Sequence, residues 1–125
     1  MSKKLGLVVD DSKVVRKFGR RILEGLGFRV EEATDGQDAL EKASKNKPDL
    51  ILLDWNMPIM DGITFLRKYR EVPANHSTIV IFCTTENDAS HMQEGMSAGA
   101  SEYVMKPFDD EIIKTKLVQT GLMEV

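Results

Sequence analysis

The sequence has a single cysteine, Cys83, so an intramolecular disulfide cannot form and disulfide-stapled secreted modules are excluded. Long hydrophobic runs are missing too. Leu50–Leu53 and Ile79–Cys83 fall far short of the roughly 18 residues that a membrane-spanning helix needs. At the N-terminus, Asp10 and Asp11 come too early for the apolar core of a signal peptide. We therefore expect a cytoplasmic protein without membrane insertion.

The sequence also lacks linkers, low-complexity tracts and internal repeats. Its 125 residues are 42% hydrophobic and 30% charged, which suits one folded domain and argues against disorder. We expect a single domain over residues 1–125, with no separate output domain. A net charge of −3 and an aromatic content of 6% argue against direct binding to nucleic acid.

The recurring feature is a short apolar run followed by a segment of helical periodicity. Continuous Val, Ile and Leu are typical of parallel strands buried on both faces, whereas the second run alternates and is expected nearer a sheet edge. Five such units predict an α/β layered sheet with right-handed crossovers. The predicted strands are Leu5–Val9, Phe28–Ala33, Leu50–Leu53, Thr78–Cys83 and Glu102–Met105. The predicted helices are Ser12–Leu26, Gln37–Asn46, Ile63–Glu71, Asp88–Ala98 and Asp109–Thr120.

The first helix is predicted to be amphipathic, because Val14, Phe18, Ile22 and Leu26 recur at four-residue steps. Ser12 is placed to cap its start, and a glycine follows its end.

Polar residues stand at the end of four of the predicted strands. In open α/β sheets the functional site lies beyond the carboxyl ends of the strands, so these residues are expected to converge. Taken singly, each is more often a turn former or a helix cap, and only their joint placement favours a site. They are Asp10 and Asp11 after the first run, Asp54 after the third, Thr84 and Thr85 at the fourth, and Lys106 with Pro107 at the fifth.

Three neighbouring carboxylates require a compensating charge. Two of them about 4 Å apart repel by roughly 4 kcal/mol at an effective dielectric constant of about 20. A hard divalent cation relieves this repulsion, and oxygen-only ligation favours Mg²⁺. Lys106 adds a positive charge and Thr84 a hydroxyl donor. This group of residues is suited to an aspartate that accepts a phosphoryl group.

The sequence resembles the receiver domains of two-component response regulators, and most of all the stand-alone receivers of the CheY type. The order, spacing and strand context of the motifs agree over essentially the whole chain. The matching segments are Val8–Ser12, Asp54–Gly62, Thr84 and Tyr103–Phe108. The resemblance implies five helices and a doubly wound five-stranded parallel sheet in the order 2-1-3-4-5.

The resemblance also implies roles for the strand-end residues. Asp54 is the expected phosphoacceptor. Asp11, Asp54 and the backbone carbonyl of Asn56 are the expected direct ligands of Mg²⁺, for which Mn²⁺ can substitute, and Asp10 acts largely through water. Thr84 and Lys106 are expected to hold the phosphoryl oxygens.

The resemblance also implies which residues control the response to phosphorylation. Tyr103 is the expected rotameric switch, coupled to Thr84, and the Lys106–Pro107 peptide bond is expected to be cis. Asn56 and Glu86 stand where the lifetime of the aspartyl phosphate is tuned, and their pairing predicts a short-lived phosphoryl state. Thr85 either narrows access to Asp54 or is simply tolerated.

Two surfaces are candidates for docking. An apolar partner face is predicted on the fourth helix, the fifth strand and the fifth helix, although methionines at helical spacing are usually core residues. A basic face on the first helix would dock an acidic phosphodonor, although a merely solvated helix face is a strong alternative. The partner-face candidates are Met92, Met96, Tyr103, Met105 and Lys116, and the donor-face candidates are Arg16, Arg20 and Arg21.

Taken together, these features predict a signalling module that catalyses only its own phosphorylation and dephosphorylation. Its donor would be a histidine kinase or a histidine phosphotransfer protein, and it would be monomeric when unphosphorylated. The Asn56 and Glu86 pairing favours a diffusible output regulator, as in chemotaxis or motility, over a phosphorelay shuttle or phosphate sink.

Two other classes of function fit poorly. An aspartate-nucleophile phosphohydrolase would need an Asp-x-Asp motif after the first strand and a capping insertion. A nucleotide or flavin binder would need a glycine-rich loop where Asp10-Asp11-Ser12 stands.

Overall fold

The architecture is an open parallel sheet with helices on both faces. A computed structural model describes residues 3–85 and 89–124. The strands are β1 Leu5–Val9, β2 Arg29–Ala33, β3 Leu50–Leu53, β4 Ile79–Thr84 and β5 Glu102–Met105. Their order in the sheet is β2-β1-β3-β4-β5, and every pair is parallel, which confirms the predicted fold class. The helices are α1 Lys13–Gly25, α2 Gly36–Lys45, α3 Gly62–Arg70, α4 Ala89–Ser97 and α5 Asp110–Gln119, with a 3₁₀ helix at Pro73–Ser77.

The two faces of the sheet carry two separate hydrophobic clusters. Leu7 and Val9 point to one face, which α2 and α3 cover, whereas Val8 points to the other face, which α1 and α5 cover. Strands β1 and β3 are buried on both faces, as their continuous apolar sequences predict. Strand β2 lies at an edge, and its exposed Arg29 and buried Val30 follow the predicted alternation.

Helix α1 begins where the sequence predicts, but it does not bury the predicted face. The Ser12 hydroxyl accepts a hydrogen bond from the Val15 amide at 3.3 Å and caps the helix. Ile22 is buried, whereas Val14 is 79% exposed and Phe18 is 44% exposed. The expectation of one continuous apolar face was wrong because residues four apart drift by about 40° per step on a helix of 3.6 residues per turn. Val14 and Phe18, the first two residues of the series, therefore point away from the core.

A single carboxylate fastens α1 to the edge strand. Glu32 of β2 accepts from Arg16 at 3.2 Å, Lys17 at 2.9 Å and Arg20 at 2.7 Å, while Lys42 of α2 donates to its backbone carbonyl. Burial alone would raise the pKa of the Glu32 carboxyl. The hydrogen bonds from Lys17, Arg20 and Arg16 outweigh burial and lower this pKa from 4.5 to about 2.

Within the described ranges 3–85 and 89–124, no helix is both long enough and apolar enough to cross a bilayer.

Replacing Glu32 with Gln should lower the free energy of unfolding at neutral pH by about 1 kcal/mol, because three cations lose their shared partner. The pKa of Glu32 is lower in the folded than in the unfolded state. Its contribution is therefore complete above about pH 4.5 and is lost as the pH falls towards about 2. Urea unfolding of both proteins between pH 7 and pH 2.5 measures the difference. Glu31→Gln serves as control, since Glu31 makes no ion pair in the described part of the chain. A difference that stays constant over this pH range would contradict the assignment.

Candidate functional site

The backbone hydrogen bonds of the sheet continue past the strand ends and fix the first polar residues there. The Asp10 amide donates to the Ala33 carbonyl at 3.1 Å, and the Asp54 amide donates to the Val9 carbonyl at 2.9 Å. The Lys106 amide donates to the Thr84 carbonyl at 2.9 Å. Residues from β1, β3, β4 and β5 therefore meet at the carboxyl edge of the sheet on rigid backbone.

An ammonium group lies between two buried carboxylates at this edge. Lys106 Nζ is 2.7 Å from Asp10 Oδ2 and 3.1 Å from Asp54 Oδ1. Asp10 is 3% exposed and Asp54 is 8% exposed. Because buried charges are costly unless they are paired, the lysine makes this arrangement stable.

Burial and charge act against each other on these groups. Burial raises the pKa of Asp54, the charge of Asp10 raises it further, and Lys106 opposes both effects without cancelling them. Burial would lower the pKa of Lys106, but its hydrogen bond to Asp10 and the charges of both aspartates raise it overall. Lys106 therefore remains a cation at this position.

A third carboxylate completes a group of oxygen ligands. Side-chain oxygens of Asp10, Asp11 and Asp54 lie within 4.8 Å of one another, and Asp11 is exposed whereas the other two are buried. Carboxylate oxygens at this spacing, open to water on one side, fit a hard cation that keeps some of its water ligands. Thr84 is the last residue of β4, which lies next to β3 in the sheet, and it is 1% exposed.

The loop after Asp54 is held tightly against the end of β3. The Gly62 amide donates to the Trp55 carbonyl at 2.9 Å. A Cβ atom at position 62 would lie 2.2 Å from the Asp54 carbonyl oxygen, so only glycine fits there. Asn56 is exposed at the mouth of the site. The Lys106–Pro107 peptide bond across the site is cis.

The candidate partner-face residues lie on three neighbouring elements. Met92 and Met96 on α4 are 42% and 44% exposed. Tyr103 is half-buried, with its ring 6.4 Å from that of Phe82, and Met105 is half-buried further along β5. Lys116 of α5 binds Glu102 of β5 at 3.0 Å.

The candidate donor-face arginines differ from one another. Arg16 and Arg20 are engaged by Glu32, whereas Arg21 is exposed. Arg16 also donates to the Asp10 carbonyl at 2.8 Å.

Sequence reasoning missed an apolar hollow of about 430 Å³ beside these arginines. It opens next to Lys106 and is lined by Val14, Val15, Phe18, Thr85, Lys106, Pro107 and Phe108. The unexpected exposure of Val14 and Phe18 is what creates this hollow.

The contact of His91 with Trp55 is another feature that the sequence did not indicate. His91 is half-buried, and its ring stacks on that of Trp55, with centroids 4.8 Å apart and planes at 28°. The predicted lifetime-tuning residue Glu86 lies outside the described residues.

Comparison with known proteins assigns this geometry to a family. The family model described as "Response regulator receiver domain" matches residues 7–118. The chain belongs to the response regulator receiver domain family. Over 113 residues it is 36% identical to the chemotaxis protein CheY1 of Helicobacter pylori, which covers 89% of this chain and 91% of that protein. It is also 40% identical over 114 residues to the sensor protein EvgS of Escherichia coli, covering 90% of this chain but only 9% of that protein.

Solved structures of receivers superpose closely on this chain. Vibrio cholerae CheY4 matches with a TM-score of 0.89 and 35% identity, covering 95% of this chain and 99% of that chain. A CheY-like receiver domain protein from Methanospirillum hungatei matches with a TM-score of 0.83 and 30% identity, covering 97% and 98%. The receiver is thus a two-component signalling domain with chemotaxis proteins among its homologues.

The thiol beneath this site should be inert in the folded receiver. Cys83 is 4% exposed, and burial raises the pKa of its thiol to about 12, so almost no thiolate forms near neutral pH. We expect reaction with a disulfide reagent at pH 8 to be at least about 100-fold slower in the folded receiver than in denaturant, where one thiol per chain reacts. Absorbance of the released thiolate measures both rates. Fast reaction of the folded protein would mean that β4 opens readily.

Proposed function

We propose that this receiver accepts a phosphoryl group on Asp54 from a phosphohistidine and signals by phosphorylation-dependent protein binding. The observation that carries the proposal is the bridge of Lys106 Nζ between Asp10 and Asp54 at 2.7 Å and 3.1 Å. This bridge keeps a positive charge against the attacking carboxylate and beside the position that the phosphoryl oxygens will occupy.

In the proposed transfer, an oxygen of Asp54 forms a bond to phosphorus as the bond from phosphorus to the donor histidine nitrogen breaks. The electron pair of the broken bond stays on the imidazole. Lys106 donates to one phosphoryl oxygen while Asp10 continues to hold the ammonium group, and the Thr84 hydroxyl donates to another oxygen. Two carboxylates and a lysine on separate strands support this division of roles, because rigid elements keep the donors in place.

Asp11 and Asp54, with the backbone carbonyl of Asn56, are the proposed direct ligands of Mg²⁺, and Asp10 acts through water. Mn²⁺ is a proposed substitute. When bound, the cation neutralises negative charge on the transferring group. The exposure of Asp11 beside two buried aspartates supports a cation that enters from solvent and retains water.

The proposed lifetime of the phosphoryl state is short. Asn56, two residues after Asp54, is exposed, and its side chain is therefore open to solvent, as a residue that orients the hydrolytic water would need to be. Glu86, the second proposed tuning residue, contributes to the proposal through the sequence alone.

The proposed donor is a histidine kinase or a histidine phosphotransfer protein. Because the phosphohistidine must reach Asp54, the donor must cover the surface beside Lys106, which includes the apolar hollow. Val14 and Phe18 would then supply apolar contact and Arg21 would attract an acidic donor. Arg16 and Arg20 would contribute mainly by their summed charge, since Glu32 engages both side chains.

The proposed output is binding of a protein target on the face formed by α4, β5 and α5. The exposure of Met92 and Met96 supports this face, because two methionines one turn apart offer an adaptable apolar contact. The chemotaxis proteins among the relatives support an output regulator of chemotaxis or motility over a shuttle or phosphate sink. We further propose that it acts in the cytoplasm as a monomer when unphosphorylated, without direct contact to nucleic acid.

Labelling with acetyl [³²P]phosphate in Mg²⁺ buffer tests the phosphoacceptor. The wild type should be labelled, Asp54→Asn should lose at least about 95% of the label, and EDTA should abolish labelling of the wild type. Asp110→Asn, a surface aspartate on α5, is the matched control and should label normally. Equal labelling of Asp54→Asn and wild type would refute the proposal.

Met92→Lys tests the partner face, because it places a charge in the apolar contact. We expect target binding by the beryllofluoride-activated protein to fall at least about 30-fold, while labelling by acetyl phosphate stays within twofold of wild type. Gln93→Lys adds the same charge at the next exposed position of α4 and should leave binding unchanged. Equal losses from both substitutions would place the target elsewhere or indicate a purely electrostatic effect.

A further inference from the structure

Trp55 joins the phosphoacceptor to two other parts of the molecule. It follows Asp54 directly, and its side chain is 5% exposed. Its carbonyl accepts a hydrogen bond from the Gly62 amide at 2.9 Å. Its ring lies against Phe82 on β4, with centroids 4.9 Å apart, and against His91 on α4, with centroids 4.8 Å apart. Because Trp55 is the next residue in the chain, a movement of Asp54 can be transmitted to a ring that contacts α4.

Helix α4 lies unusually close to this ring. A Cβ atom at Gly95, one turn after His91, would lie 3.0 Å from the Phe82 ring and 3.4 Å from the Trp55 ring. Glycine inside a helix costs up to about 1 kcal/mol relative to alanine, and close approach is the usual reason for it. His91 and Gly95 thus form the inner contact of α4 with Trp55 and Phe82.

The inner contact and the proposed partner face occupy adjacent positions of the same two helical turns. Met92 follows His91, and Met96 follows Gly95, and both methionines are exposed. On a helix each step of one residue rotates the side chain by about 100°, so a target bound to the methionines acts on the turns that hold the inner contact.

We propose that His91 is a positioning residue that couples α4 to Asp54 through its stack on Trp55. This inference rests on the proposed function, because it assumes that Asp54 carries the phosphoryl group and that α4 carries the partner face.

The coupling has a defined direction. In the resting arrangement the free Asp54 carboxylate accepts a hydrogen bond from Lys106 at 3.1 Å. Once an oxygen of this carboxylate is bonded to phosphorus, the carboxylate is a weaker acceptor, and Lys106 is shared with the phosphoryl oxygens. Asp54 is then held less firmly, and the ring of Trp55, the next residue in the chain, loses its fixed position against His91. The stack therefore favours the resting arrangement, and by linkage its removal favours the phosphoryl-bound one.

Beryllofluoride, which binds aspartate as a phosphoryl analogue, provides the measurement. Titration in Mg²⁺ buffer, followed by the ¹⁹F signal of the bound species, gives a half-saturating concentration that does not depend on Trp55 as a reporter. We expect His91→Ala to lower this concentration about 3- to 10-fold, within the range of a single aromatic pair. His91→Phe retains a stacking ring and should stay within twofold of wild type, as should the control Gln93→Ala.

A merely structural role for His91 predicts the opposite sign, because damage to the fold weakens ligand binding. An unchanged or higher half-saturating concentration in His91→Ala would overturn the inference, and so would an equal shift in His91→Phe. Alanine is a strong helix former, and thermal unfolding of each variant verifies that α4 remains folded. If the wild type itself fails to bind beryllofluoride, the proposed function fails, whereas normal wild-type binding with an unaffected His91→Ala refutes only the coupling.

Discussion

The contact on which the site depends is the one between the Lys106 ammonium group and two carboxylates, at 2.7 Å from Asp10 and 3.1 Å from Asp54. Both aspartates are nearly inaccessible to water, so without this cation they would repel each other in a medium that screens charge poorly. The contact also spans the sheet, because Asp10 follows β1, Asp54 follows β3 and Lys106 follows β5. One ion-pair network thus fixes the carboxyl edge of three strands and concentrates charge at the site where we propose that phosphoryl transfer occurs.

The surroundings of that network are asymmetric. Asp11 and Asn56 face solvent, while Thr84, Cys83 and Trp55 form a buried floor and wall. The proposed cation and donor protein would approach from the open side. On the closed side, aromatic rings from β4 and α4 pack against the residue next to Asp54, and the proposed coupling runs through these rings. The proposed chemistry and the proposed coupling thus lie on opposite sides of Asp54, one open to water and the other buried.

The sequence predicts the sheet well because each buried strand carries its own local signal. Leu5–Val9 and Leu50–Leu53 were predicted with the bounds that the structure has, since continuous apolar runs have clear ends. The position of functional sites beyond the carboxyl ends of parallel strands likewise predicts from the sequence that Asp10, Asp54 and Lys106 lie together. Contacts between elements carry no such signal. His91 is far from Trp55 in sequence, and the exposure of Val14 depends on how α1 is rotated over the sheet, which only packing decides.

The close approach of Gly62 to the Asp54 carbonyl oxygen has a consequence for how the loop between β3 and α3 can vary. Because there is no space for a methyl group at position 62, that end of the loop is fixed by the backbone of Asp54 itself. Positions 56 and 59 are exposed, with Ile59 at 84%, so their side chains can change without moving the backbone of Asp54. The receiver can therefore vary its surface in this loop while the carboxylate that we propose as phosphoacceptor stays in place, which would allow a different partner preference or phosphoryl lifetime.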